Sequence, residues 1–197
     1  MPWFKHRLLI PGYTDFVLGE ISVTEKYCES ASDEESIVEY SNDLSKSYTT
    51  LGMVYIAKND FGSALVSLKK AYDNLEKIIR QPLSDPVNED VNIWMQAMCL
   101  NAYGIVKAKK GDNSAARYIR KSIKVLGAIV NEHSCALIIE CMISLCLNLY
   151  VLSDNGSEKE LLLNRITDYA DRLNVMNGDE KYRRIVEQIY ADGHKST

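Results

Sequence analysis

Residues that break regular structure are scarce here: four prolines and ten glycines are spread over 197 positions, so long uninterrupted helices or strands are allowed almost everywhere. Histidine is scarcer, at three, and two of these, His6 and His194, stand near the ends. Cysteine occurs five times (Cys28, Cys99, Cys135, Cys141, Cys146), an odd number without C-x-x-C spacing, which argues against both a disulfide framework and a zinc site. Several of the five sit in apolar runs, where cysteine behaves as a small buried hydrophobe, and a reducing cytoplasm is the expected compartment. Phosphate-cradling glycine loops, metal-ligand spacings and a G-x-S-x-G elbow are all missing. His133 stands near Cys135, but no third residue orients it, and close neighbours on one chain rarely reach nucleophile–base geometry. The acidic run "SDEES" reads as a helix start favoured by the macrodipole. The expectation is a protein without catalysis and without a cofactor.

A basic surplus is also missing. The net charge is -4, and no Lys/Arg stripe interleaved with aromatics occurs, so nucleic acid is not an expected partner. The apolar run in "MPWFKHRLLIPG" is too short for the centre of a signal peptide, and no A-x-A-like site follows it. One long hydrophobic run exists, "CALIIECMISLCLNLYVL", Cys135 to Leu152. It is near the lower length limit for crossing a bilayer, holds Glu140 and Asn148, and has no basic flank, so a buried helix is expected rather than membrane insertion. With 46% hydrophobic and 25% charged residues, the chain can bury a substantial core as one domain.

Helical periodicity dominates what is present. From Asp33, the positions Ile37, Tyr40, Leu44, Tyr48, Leu51 and Tyr55 step by three or four, the pattern of one helix face. Ser32 and Glu35 form a capping-box pattern at its start, and Asn59-Asp60 ends it. Asp60 is the expected N-cap of a second helix bearing Phe61, Ala64, Leu65, Leu68, Ala71, Tyr72, Leu75 and Ile79. The break "QPLSDPVN" separates this pair, 33–80, from a second pair at 89–131, which turns at Gly111-Asp112. A third pair is expected at 134–174, its second helix starting from a Ser157/Glu160 box and reaching Leu173. A short closing helix is expected at 178–192, and residues 1–32 read as an apolar arm followed by a helix over Tyr13 to Cys28.

The stretch "SKSYTTLGMVYIAKNDFGSALVSLKKAYDNLEKI" resembles a tetratricopeptide repeat, with Tyr48, Leu51-Gly52, Tyr55, Ala64, Leu68 and Ala71 in the places of that helix-turn-helix pattern. Gly52 and Ala64 would let two helix backbones approach closely. A weaker copy follows in Leu100, Tyr103-Gly104, Gly111, Ala115, Ile119 and Ser122, with Lys107 where a tyrosine stands in the first. The third pair, with Tyr150, Ile166, Tyr169 and Ala170, lacks the glycine. The resemblance implies an all-α fold: a short α-solenoid of antiparallel helix pairs, with a leading N-terminal helix and a C-terminal cap. It also implies a concave groove lined by the first helices.

By the same resemblance, the groove residues are Lys46, Thr49, Met53 and Ile56 on the first unit and Met98, Asn101, Ile105 and Ala108 on the second. The expected occupant is another protein, presented as an extended peptide or an amphipathic helix. Met53 and Met98 serve equally well as core filling. The carboxylate clamp of some family members uses Lys and Asn where Thr49 and Met53 stand, so that function is not implied. The size, acidity and three units after a leading helix are similar to small bacterial secretion chaperones. A regulator that senses a peptide or sequesters a transcription factor is a second reading, and a homodimer formed through the apolar N-terminal arm is a third.

Overall fold

The computed structural model describes residues 11–79, 86–178 and 180–193; the apolar arm ahead of Pro11 and most of the proline-containing break lie outside the described residues. Regular structure among them is wholly α-helical: α1 (Tyr13–Ser30), α2 (Glu34–Ala57), α3 (Phe61–Ile79), α4 (Pro86–Lys109), α5 (Ala115–Leu126), α6 (Ala136–Leu152), α7 (Gly156–Asn177) and α8 (Lys181–Gly193). Proline opens α4, where its fixed φ suits the first helical position and no backbone bond is lost.

Two helix starts differ from the capping boxes expected from sequence. α2 is capped by Asp33, whose carboxylate accepts the Ser36 N–H at 2.8 Å. A charged acceptor beside the positive end of the helix outcompetes the neighbouring Ser32 hydroxyl. α7 is capped by Asn155, which accepts the Glu158 N–H at 3.1 Å, so Ser157 falls inside the first turn. Asp60 caps α3 as expected, accepting from the Ser63 N–H at 3.0 Å.

The first two pairs turn in the same way. After α2, Asn59 takes a left-handed φ of 60°, and the N–H groups of Asn59 and Asp60 bond back to Ile56 and Tyr55 carbonyls. After α4, Gly111 takes φ 72°, and Gly111 and Asp112 bond back to Ala108 and Lys107. Both are Schellman closures, which satisfy the free carbonyls at a helix end while reversing the chain. Lys107 anchors the second turn: its ammonium lies 2.6 Å from Asp112 and over the rings of Tyr103 and Tyr118.

The two glycines act as the sequence pattern requires. A Cβ on Gly52 would lie 2.5 Å from Leu68 Cγ, and one on Gly104 would lie 2.6 Å from Ile119 Cγ1 and 3.1 Å from the Ala115 carbonyl oxygen. Thus α2–α3 and α4–α5 cross closely at corresponding positions. Ser122, which replaces Ala71, is fully buried and donates its hydroxyl hydrogen to the Ala97 carbonyl at 2.6 Å.

Contacts follow chain order, and they are more extensive within α2–α3, α4–α5 and α6–α7 than between one pair and the next. In addition α2 touches α4, and α4 touches α6. Apolar burial is divided along the chain. Val17, Leu44, Leu51, Leu68, Leu75 and Val106 belong to one cluster, and Met98, Ile119, Ile139, Leu145, Ile166 and Leu173 to another. Helix α4 supplies Cys99, Ala102 and Val106 to the first and Ala97 and Met98 to the second. The apolar run of α6 is core, with Ile139, Met142, Ile143, Leu145 and Cys146 almost wholly buried. No helix among the described residues is long and apolar enough to cross a membrane.

One polar link joins three helices. Glu158, in the first turn of α7, accepts from both Arg120 nitrogens at 2.7 and 2.8 Å and from the Ser153 hydroxyl at 2.5 Å. The Arg120 and Ser153 bonds hold its carboxyl at about 2, below the ordinary 4.5. A carboxyl depressed in the folded state stabilises above its ordinary pKa, and that contribution disappears as pH falls through the folded value. Glu158→Gln is therefore expected to lower stability by about 1 kcal/mol at neutral pH, Arg120 being half exposed. It should also flatten the melting temperature between pH 4.5 and 2. A pH series of thermal melts reads this directly, and an unchanged acid slope would assign the acid loss to other groups.

Candidate partner-binding face

α2 adjoins α4 and α4 adjoins α6, while α3, α5 and α7 are each paired most extensively with the preceding helix, the adjacency that the expected groove requires. Of the eight residues placed there from sequence, Lys46, Met53, Ile56, Ile105 and Ala108 are half-buried. The other three are interior: Thr49 is 2% exposed, Asn101 3% and Met98 9%. Met98 belongs to the same apolar cluster as Ile119 and Ile139, so of the two methionines it is the one that fills core. Met53 and Ile105 belong to neither cluster.

The interior polar pair has a structural explanation that sequence did not supply. Thr49 donates to the Ser45 carbonyl at 2.8 Å and lies against the Cys99 thiol across the α2–α4 seam. Across the α4–α6 seam, the Asn148 amide donates to Asn101 Oδ1 at 3.0 Å. One heptad toward the N-terminus of that same seam, Trp94 Nε1 donates to Cys141 Sγ at 3.4 Å. Trp94 and Asn101, like Cys141 and Asn148, are spaced so that a helix returns them to one side. That spacing is legible in the chain. The pairing of α4 with α6 is not, because it depends on how the hairpins stack.

Lys46 is drawn toward α1. Its ammonium lies 3.2 Å from Asp43, and both line a hollow of about 670 Å³ between α1 and α2 with Asp15, Phe16, Glu20 and Val23. A second hollow, about 540 Å³, lies between α7 and α8 beside the Asp171–Arg183 ion pair at 2.6 Å. It is on different helices from the predicted residues.

The three buried thiols are chemically quiet. Burial pushes Cys99 up to about 12 and Cys146 up to about 11, and burial also raises Cys141. The nucleophilic thiolate is thus suppressed at neutral pH. The His133 imidazole lies 3.4 Å from Glu132, and Cys135 is exposed at the cap of α6. Among the described residues, no group of three His, Cys, Asp or Glu side chains is placed to hold a metal ion.

Compared with known proteins, this chain matches no family model, no curated protein and no solved structure.

Proposed function

We propose that α2 to α7 form a tetratricopeptide-like array, and that the face shared by α2, α4 and α6 holds a peptide or helix of another protein without catalysis. The observation that carries this reading is the repeated geometry of the first two pairs. Each has a glycine pressed on a large aliphatic residue and a Schellman turn at the same place, and their first helices adjoin. Stacking identical hairpins with a constant offset curves the row of first helices into a concave surface. The half-buried Met53, Ile56, Ile105 and Ala108 supply an apolar lining, and methionine adapts to irregular partner surfaces.

The role that follows is that of a cytoplasmic chaperone or adaptor; a peptide-sensing regulator would use the same face with a larger shape change. The test is selection of binders from a displayed library of random dodecapeptides, followed by competition against the variant Met53→Glu/Ile105→Glu. Peptides that bind the wild-type protein and not the variant support the reading. A library that yields no binder, or binders indifferent to the double substitution, removes it.

A further inference from the structure

We infer that Asn42 and Asn92 form a polar subsite that reads the main-chain amide of a bound peptide, an inference that rests on the proposed peptide-binding face. Among the described residues, four buried side-chain atoms have no hydrogen-bond partner: Ser41 Oγ, Asn42 Oδ1, Asn92 Nδ2 and Asn92 Oδ1. The three asparagine atoms carry the inference, and both asparagines keep part of their surface exposed. Buried amide groups are almost always paired, and leaving one unpaired is unfavourable, so these orphaned atoms call for an explanation.

One equal heptad step from the Thr49–Cys99 contact brings Asn42 and Asn92 to the same level of the α2–α4 seam. In the α4–α6 seam, contacts recur at one heptad: Asn101 with Asn148, then Trp94 with Cys141. In the α2–α4 seam, Thr49 meets Cys99, and one heptad toward the N-terminus stand Asn42 and Asn92. The first and third helices of two successive hairpins run parallel, so equal steps along each keep partners opposite one another. Where the second seam satisfies its polar side chains internally, the first leaves an amide with both its donor and its acceptor free.

A free N–H and a free C=O on one planar side chain complement the C=O and N–H of a single residue in an extended chain, which point to the same side because the flanking peptide bonds are trans. Both residues keep part of their surface exposed, and the terminal side-chain torsion of asparagine is broad, so turning it re-aims the amide toward a bound chain. The net charge of -4 makes a phosphate-bearing ligand with a similar base edge the poorer fit. The subsite accounts for something the apolar lining leaves open. Met53 and Ile105 would give affinity, whereas Asn42 and Asn92 would set the register of the extended chain without dictating its side chains.

The test separates this role from a purely structural one by the sign of the stability change. Asn92→Leu, which keeps the number of side-chain heavy atoms and the branch at Cγ, is expected to raise the melting temperature while weakening the selected dodecapeptides at least tenfold. Asn42→Leu is expected to do the same, and serves if the first variant misfolds. Asn101→Leu, which strands the Asn148 amide, is expected to lower the melting temperature. An N-methyl scan of one selected peptide should find a main-chain position where methylation weakens binding to the wild type tenfold and has no further effect on Asn92→Leu.

Unchanged peptide affinity in Asn92→Leu, or an N-methyl effect that adds to it in full, overturns the subsite while leaving the peptide-binding face standing. A lowered melting temperature in both Asn42→Leu and Asn92→Leu also overturns it, since that marks amides holding structural water. A wild-type protein that selects no peptide overturns the face and the subsite together.

Discussion

Leu68→Ala is expected to destabilise the protein by about 2–5 kcal/mol, and adding Gly52→Ala is expected to return part of that loss instead of increasing it. Leu68 is fully buried and sits directly under Gly52, where a new Cβ would fall 2.5 Å from Leu68 Cγ and 2.7 Å from Cδ2. Gly52→Ala alone therefore forces Leu68 aside, at about 1–3 kcal/mol. Once Leu68 is shortened, the atoms that the new methyl would strike are gone, and the methyl instead fills part of the cavity. The interaction energy in a double-mutant cycle should then be favourable, about 0.5–3 kcal/mol. Urea denaturation measures it. Simple additivity would mean that α2 and α3 separate when strained, and that the close crossing is not a fixed contact.

The second large effect concerns binding. Met53→Glu with Ile105→Glu is expected to reduce capture of the selected dodecapeptides about a hundredfold or more, while the melting temperature moves by only a few degrees. Both side chains are half-buried and lie outside the two apolar clusters, so a carboxylate at either place can reach water. A partner apolar group seated over it cannot. The contrast with Met98→Glu is instructive, because Met98 is 9% exposed within the second cluster and its replacement by a charge should unfold the protein. If Met53→Glu/Ile105→Glu melts as early as Met98→Glu, these residues are core and the proposed face is lost. Circular dichroism on the three variants makes the comparison.

The likeness of the pairs α2–α3 and α4–α5 is chemical before it is geometric. Gly52 and Gly104 face Leu68 and Ile119, and in both pairs a backbone approach too close for a β-carbon follows from placing small opposite large. Lys107, which breaks the tyrosine pattern, keeps the turn by another means, pairing with Asp112 while lying over two tyrosine rings. The turn geometry survives the substitution because the Schellman bonds are made by backbone atoms, which any residue supplies.

Local interactions were legible from the residues. The 3.6-residue spacing of apolar positions identifies the helices, and Asp60, Asn59 and Gly111 mark their ends, since these depend on neighbours within a few positions. The caps at Asp33 and Asn155 were missed because several acceptors compete within two residues, and only the completed first turn selects among them. Of the residues that the repeat resemblance assigns to a groove, Met53, Ile56, Ile105 and Ala108 keep part of their surface exposed, whereas Thr49, Met98 and Asn101 are covered, which the resemblance does not tell.

Burial of those three depends on which helix lies beside which, and that is a matter of rigid hairpins settling against each other over long sequence separations. The meeting of Asn101 with Asn148, and the lack of a partner among the described residues for Asn42 Oδ1 and the Asn92 amide, arise in the same way. A single helix carries its own period, and its residues announce it. The register between two helices is a property of neither alone, and it came into view only with the packed chain.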